Sequence, residues 1–241
     1  MDSSVSTAGF VDQIAEKGFA FVGADDFHGA LEAAGPLTDW NEFAASWNDL
    51  ELDAHMADGG RYRRRRYAVY AASRNGAIER AVHQPHFQAR HYNALNGGVP
   101  RWFEPIVYPI GAGATMMTTL GLCRQLFGLL APQTDNWHIE VHQFRIEARA
   151  DMPGMPTPEG MHRDGVDYVL VMLIGRTNIA RGTTSIHALG GKELGSFTLS
   201  APFDAALVED ARVFHGVTAV RAVDPGQPAF RDVLVVTFRK A

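Results

Sequence analysis

His162-Arg163-Asp164 sets an imidazole and a carboxylate two positions apart. In an extended segment such residues project to the same side, where both can bind one ion. Alone the triplet is weak evidence, since ten histidines in a chain with this much aspartate would generate about 0.7 such patterns by chance. Support comes from Val213-Phe214-His215-Gly216-Val217, a histidine inside an apolar strand. A strand histidine is more often a hydrogen-bonded core residue than a ligand. Here the order of features favours the ligand: His-x-Asp follows a Pro/Gly-rich loop and precedes a long strand, and then come several more strands, His215, a hairpin and Arg231 at the start of the last strand. Two imidazoles and one carboxylate on one face of an octahedron suit Fe(II) and leave three positions open. A structural zinc site prefers four closed ligands, usually with cysteine, which the single Cys123 cannot supply.

A rival set is His138-Ile139-Glu140-Val141-His142, which would put three ligands on one side of a strand. The opposite face, Trp137, Ile139, Val141, Gln143 and Arg145, is the more apolar through its first half. The odd-numbered face is therefore expected to point inward, with His138, Glu140 and His142 toward solvent or the helical half. Gln143 and Arg145 would then be polar groups on a buried face, which need partners, and the carboxylate of a bound ligand could serve. Both are candidate substrate-binding residues.

These groups require strands to hold them. Beyond Asn136, short runs of Val, Ile, Leu, Phe and Thr separated by Pro, Gly and Asp clusters predict strands at Trp137 to Ala148, Val166 to Ile174, Thr183 to His187, Gly195 to Leu199, Ala205 to Val208, Val213 to Val220 and Arg231 to Phe238. Upstream, helical spacing predicts a helix over Ser6 to Lys17, stopped by Gly18 before the strand Phe19 to Val22. A mostly helical stretch is expected from Phe27 to Met56, its Trp40, Phe43 and Trp47 sharing one packed face. Further helices are expected over Ala77 to Asn96 and Thr115 to Leu130, with Arg63 to Tyr70 alternating in its second half. Residues 1–135 thus read as helix-rich and 136–241 as a small antiparallel sandwich or barrel. With no repeat and no low-complexity linker, the helices are expected to pack on the sheet in one domain spanning 1–241.

The net charge of -5, with both signs scattered, gives no reason to expect nucleic acid or an anionic membrane as partner. The basic run from Arg61 to Arg66, interrupted by Tyr62, reads as a solvated face or a carboxylate-binding patch. One cysteine excludes an intramolecular disulfide, and Met1-Asp2-Ser3-Ser4 lacks the features of a secretion signal. Even Ala112 to Leu130 carries Arg124 and Gln125, so no membrane span is expected. A soluble, cytoplasmic protein acting on a small molecule is the expectation, and a homodimer is compatible with it.

The stretches His162-Arg163-Asp164-Gly165-Val166-Asp167, Leu173 to Ile179, Asp210 to Val217 and Arg231 to Phe238 resemble the bacterial 2OG-Fe dioxygenase family that includes free L-isoleucine hydroxylases. Tyr62 to Tyr67, Tyr92-Asn93 with Gly97-Gly98, Arg101 to Ile106 and His142-Gln143-Phe144-Arg145 look like that family too, so the resemblance covers about two thirds of the chain. Arg181-Gly182-Thr183-Thr184 stands where a Gly-Gly-Glu-like turn is expected, a departure that leaves the substrate open.

The resemblance implies an α+β, mainly β fold: a cupin-like double-stranded β-helix, or jelly roll, with a helix-rich N-terminal half packed on it. It implies Fe(II), 2-oxoglutarate as co-substrate and O2, with hydroxylation of a free amino acid bearing an aliphatic or thioether side chain. The far carboxylate of 2-oxoglutarate needs a fixed cationic fork. Arg231 is the candidate, with Arg221 and Arg239 in reserve. Asp167, and Tyr168 if the strand after Asp164 is unbroken, are further candidates for contact with substrate. Arg66 and Arg176 match family positions without an assignable partner. The competing classes are a cupin-type iron oxygenase that uses no 2-oxoglutarate and a non-catalytic jelly-roll binding module.

Overall fold

The computed structural model describes residues 7–241. In chain order its helices are α1 (Thr7–Lys17), α2 (Ala24–Ala34), α3 (Trp40–Ala45), α4 (Tyr108–Gly111) and α5 (Ala114–Leu130). Its strands are β1 (Phe19–Val22), β2 (Glu51–Leu52), β3 (Arg63–Ser73), β4 (Ile78–Arg80), β5 (Asn136–Ala148), β6 (Tyr168–Thr177), β7 (Ile179–Arg181), β8 (Thr183–Ala188), β9 (Glu193–Thr198), β10 (Ala205–Glu209), β11 (Val213–Val217), β12 (Val220–Ala222) and β13 (Ala229–Lys240). An eight-stranded sheet runs β1-β10-β6-β13-β5-β3-β2, with β4 also on β3. A three-stranded sheet, β11-β8-β9, and the pair β12-β7 complete the architecture. All the strand pairs are antiparallel.

The long strands of the main sheet are buried on both faces, and their two-residue period sorts side chains between two environments. Trp137, Ile139 and Val141 of β5, Leu170 and Met172 of β6, and Leu234, Val236 and Phe238 of β13 pack in the large core with Leu120, Leu126 and Phe127 of α5 and Ile14 of α1. Phe127 stacks on Tyr168 with centroids 4.8 Å apart and meets Phe238 edge-on at 5.2 Å. On the other face Val169 packs with Ile186 of β8 and Val213 of β11, and Leu173 and Val233 pack with Leu199. The small sheet is thus held against the main one, and the face between them carries the polar residues described below.

The predicted strands of the second half are present with shifted ends, and two short ones, β7 and β12, pair with each other where they were not expected. The single strand predicted over Val213 to Val220 is divided: after Val217 the chain turns at Thr218, whose hydroxyl accepts from the Thr183 amide at 2.9 Å. In the first half, the helix start at Ser6 lies outside the described residues, and α1 begins at Thr7. The helical stretch from Phe27 breaks at Gly35-Pro36 into α2 and α3 and is over by Leu50. The helix expected over Ala77 to Asn96 does not form. Ala81 N–H instead donates to Val69 O (2.8 Å), His86 and Arg101 exchange two backbone hydrogen bonds (2.9 Å each), and the Asn93 side chain accepts from Asn96 N–H (2.7 Å). Pro85 also removes a donor in that interior. Nor is the first half a helical annex, because β3 lies inside the main sheet, paired with β5 over its full length.

Phe238 is fully buried between β13 and α5. Phe238→Ala is expected to lower unfolding free energy by about 3–5 kcal/mol, read as a lower urea midpoint with an unchanged slope. A loss below about 1 kcal/mol would mean that α5 does not close this core.

Candidate functional site

His162 and His215 are brought together by backbone pairing: His162 N–H donates to His215 O (2.9 Å) and His215 N–H to His162 O (3.0 Å). Their rings lie with centroids 4.5 Å apart. Asp164 reaches between them, Oδ1 3.6 Å from His162 Nε2 and Oδ2 3.4 Å from His215 Nε2. One donor atom from each of the three fits within 4.8 Å of the others. His162 Nδ1 lies 3.1 Å from Gly160 O, and since a carbonyl only accepts, the Nε2 lone pair of the neutral ring is left for the cluster.

The intervening loop is fixed by a fourth residue. Asp210, buried just before β11, accepts from the amides of Asp164 and Gly165 at 2.8 Å and of Val166 at 3.3 Å. Its Oδ1 also lies 3.5 Å from His215 Nε2. Gly165 turns the chain at φ +81°, and a Cβ there would sit 2.4 Å from the Tyr92 ring, so only glycine fits. Gln88 closes the other side, donating to Asp164 O at 3.1 Å.

The electrostatics describe a place for a cation. Burial disfavours charge on His215, but the nearby carboxylates of Asp164 and Asp210, at 3.4 and 3.5 Å, outweigh it and push the imidazole up to about 10. His162 is raised in the same way, against its burial, chiefly by Asp164. Asp164 itself is held well below the usual carboxylate range by the two imidazoles despite its burial. Nε2 of His215 nevertheless has no hydrogen-bond partner. Two imidazoles and a carboxylate with an orphaned nitrogen among them fit a divalent metal of the Fe(II) type.

The three groups open into a cavity of about 460 Å³ that Arg231 also lines. Arg231 is 2% exposed, and its Nε and one terminal nitrogen lack partners. Burial, with the charge of Arg176 added, presses its pKa down to about 10. A buried guanidinium in this state is compensated by a bidentate anion. The reserves are exposed, Arg221 on β12 and Arg239 near the end of β13. Arg176 instead serves the chain, donating to the Ile179 and Arg181 carbonyls, and Arg66 donates to those of Asp49 and Pro105.

The expected orientation of β5 is reversed. The odd-numbered face packs under the helices, and His138, Glu140, His142, Phe144 and Ile146 line the cavity. Because both faces of the sheet are buried, the more apolar one marks the helical core and not the site. Gln143 therefore donates to Ser46 Oγ (2.8 Å), and Arg145 makes a two-pronged pair with Asp232, 2.7 Å each, both away from the cavity. The break at Gly165 turns Tyr168 away as well, and Asp167 is engaged elsewhere. Asp167 pairs with Lys240 at 3.1 Å, and Tyr168 stacks in the helical core. The basic run is likewise split by the pleat: Arg63 and Arg65 turn into the cavity and share Asp53, at 2.7 and 3.6 Å.

Sequence reasoning assigned no role to Asp210, Gln88, Tyr92 or Arg101. The first stands in the same stretch as His215, a carboxylate just ahead of a ligand-bearing strand. Gln88 and Tyr92 lie in the segment misread as helix, and Arg101 follows it.

The profile of the family described as 2OG-Fe dioxygenase matches residues 44–237. The chain is 25% identical to a 3(1)-hydroxy-L-isoleucine 4-dioxygenase of Pantoea ananatis over 240 residues, 96% of this chain and 95% of that enzyme. It is 26% identical to an L-isoleucine-4-hydroxylase of Bacillus thuringiensis, covering 95% and 93%. The crystal structure of a bsmA homolog from Methylobium petroleophilum PM1 superposes with TM-score 0.90 at 35% identity, covering 100% of this chain and 96% of that one.

Asp210→Ala is expected to lower affinity for Fe(II), or for Co(II) as a probe, by about 10- to 100-fold, measured by anaerobic titration. Unchanged affinity would show that the loop holds its own shape.

Proposed function

The chain belongs to the 2OG-Fe dioxygenase family, and from that premise we propose that it hydroxylates a free L-amino acid with an aliphatic or thioether side chain. In this reading His162, Asp164 and His215 bind Fe(II), and Arg231 anchors 2-oxoglutarate. Membership makes it a 2-oxoglutarate-dependent dioxygenase, with Fe(II), 2-oxoglutarate and O2 as its requirements. The observation that carries the assignment of residues is that one cavity holds an orphaned His215 Nε2 and a buried Arg231 with two unpartnered nitrogens. The substrate class is supported by the two near-full-length relatives, both named for isoleucine or its hydroxylated form.

When bound, iron and co-substrate supply the oxidising power, with O2 and 2-oxoglutarate consumed, succinate and CO2 released and one oxygen atom delivered to substrate carbon as hydroxyl. The chain's own contribution is placement. His162, Asp164 and His215 would hold the metal and leave it able to take up co-substrate and O2. Arg231 fixes the far end of 2-oxoglutarate through a planar fork. Val169, Val171, Val233 and Val235 line the cavity, where they exclude water and receive an apolar side chain.

We read the fold as a double-stranded β-helix and residues 1–241 as one dioxygenase domain. The setting is cytoplasmic, and the substrate is a small molecule. Among the described residues no helix is long and apolar enough to cross a membrane. Sedimentation would decide between monomer and homodimer.

Succinate release measured across a panel of amino acids tests class and substrate together. One aliphatic or thioether amino acid should stimulate it well above the rate without substrate, and His162→Ala should abolish it. Arg231→Ala should raise the half-saturating 2-oxoglutarate concentration by about 10- to 100-fold. Unaltered affinity would remove Arg231 as the anchor, and a panel without stimulation would overturn the amino-acid reading.

A further inference from the structure

Two buried guanidiniums in the cavity lack an anion, and outside the His162, Asp164 and His215 cluster two of its carboxylates, Glu140 and Glu159, face imidazoles and no lysine or arginine. Arg231 is the first guanidinium, matched above to 2-oxoglutarate. The second is Arg101, which is 2% exposed and lines the same cavity. Its Nε has no hydrogen-bond partner, and its side chain forms no ion pair among the described residues. Arg63 and Arg65, its cationic neighbours, already share the single carboxylate of Asp53. This wall therefore carries an excess of buried positive charge that a ligand carboxylate would offset.

Of the two carboxylates, Glu159 stands beside His162 Nε2 at 3.7 Å, and Glu140 is the one held by the segment that carries Arg101. The Glu140 oxygens accept from the Tyr67 hydroxyl at 2.7 Å and from His86 Nδ1–H at 2.9 Å. His142 Nδ1 lies 2.5 Å from the Arg65 guanidinium. A guanidinium only donates, so Nδ1 accepts and the ring proton sits on Nε2, which faces Glu140 at 3.8 Å. Burial, together with the charge of Arg65, holds His142 neutral, with its pKa pushed down to about 3. Burial also lowers His86, against the pull of Glu140.

His86, Glu140 and His142 come close enough together to suggest a second metal site, but the nitrogens aimed at the carboxylate bear protons and have no lone pair to give. They are donors that orient and ionise Glu140, which is held far below the usual carboxylate range despite its burial. The result is an anion fixed by neutral groups.

The unpaired cation and the unpaired anion are structurally tied. The backbone pair between His86 and Arg101 places Arg101 directly across from the residue that grips Glu140. Glu140 shares its sheet face with Val169, Val171 and Val235, to which Thr237 links it in register, and all of them line the cavity with Arg101. A zwitterionic α-amino acid carries the complementary pair of charges on one carbon. We propose that Arg101 receives the α-carboxylate of the substrate and Glu140 its α-ammonium, so that the side chain extends over the valine floor toward His162, Asp164 and His215. The inference rests on the amino-acid reading above and adds to it the groups that enforce it.

The test uses full-length protein loaded anaerobically with Fe(II) and 2-oxoglutarate, with binding followed by calorimetry. The ligands are L-isoleucine, its amide, which lacks the carboxylate, and N-acetyl-L-isoleucine, which lacks the ammonium. Wild-type protein should bind both derivatives about 10- to 100-fold more weakly than isoleucine. Arg101→Gln should weaken isoleucine to the level of the amide and abolish the preference between them. Glu140→Gln should do the same for isoleucine against the N-acetyl derivative. Co-substrate binding should persist in both variants, which also reports that they are folded.

Wild-type protein that binds the derivatives as tightly as isoleucine would overturn the clamp without need of any variant. So would an Arg101→Gln protein that loses 2-oxoglutarate and keeps the amino acid. If wild-type protein binds 2-oxoglutarate but no amino acid of the panel, the substrate reading itself falls, and the clamp with it.

Discussion

Everything in this molecule depends on a sheet whose two faces are both covered and whose residues alternate between them. Strands β5 and β13 pair over twelve consecutive positions from Ala229 with Ala148 to Lys240 with Trp137, so one register fixes both environments at once. On one face Ile139, Val141, Val236 and Phe238 meet the helices; on the other Glu140, His142, Val235 and Arg231 meet the cavity. A shift of one residue would exchange the sets, burying charges under α5 and emptying the site of them. The hydrophobic core is therefore what holds the polar residues in register, and the chemistry is positioned by packing on the far side of the same strands.

The cavity face is unusual for the number of charged groups left incompletely matched by the chain itself. Arg145 with Asp232 on the far side is matched internally, and Asp53 offsets the charge of Arg63 and Arg65 only in part, each arginine keeping one nitrogen without a hydrogen-bond partner. Arg231, Arg101 and His215 Nε2 are not matched. Buried polar atoms without partners cost stability, and their grouping in one enclosure points to ligands that arrive with the missing charge. In the proposed reading, metal, co-substrate and substrate would complete an electrostatic balance that folding leaves open.

Legibility in the sequence followed the locality of the signal. The proposed metal-ligand residues were readable because two lie in one triplet and the third in an apolar strand, and Arg231 because it opens a strand close behind. The second-half strands were readable from alternation bounded by turn residues. The orientation of β5 was misread, because apolarity identifies a core face only when the other face is solvated, and here it is not. Tyr168 was misplaced by one glycine: the i+2 rule holds within a strand, and Gly165 at φ +81° interrupts it. The wall carrying His86, Gln88 and Arg101 was invisible, because its shape comes from pairings with distant segments, and its alanines and asparagines have the spacing of a helix they do not form.

The hydrogen bonds that suspend that wall have a consequence of another kind. Strand β3 would otherwise present an open outer edge, the usual template for intermolecular strand addition. Instead β2 covers Arg64 and Arg65, Tyr67 exchanges backbone hydrogen bonds with Glu104 and Ile106 at 2.9 and 3.0 Å, and β4 covers Tyr70 to Ala72. The opposite edge is the four-residue β1, too short to recruit a neighbour. The segment that encloses the ligand thus also guards the sheet against self-association, so damage to it would compromise solubility along with chemistry.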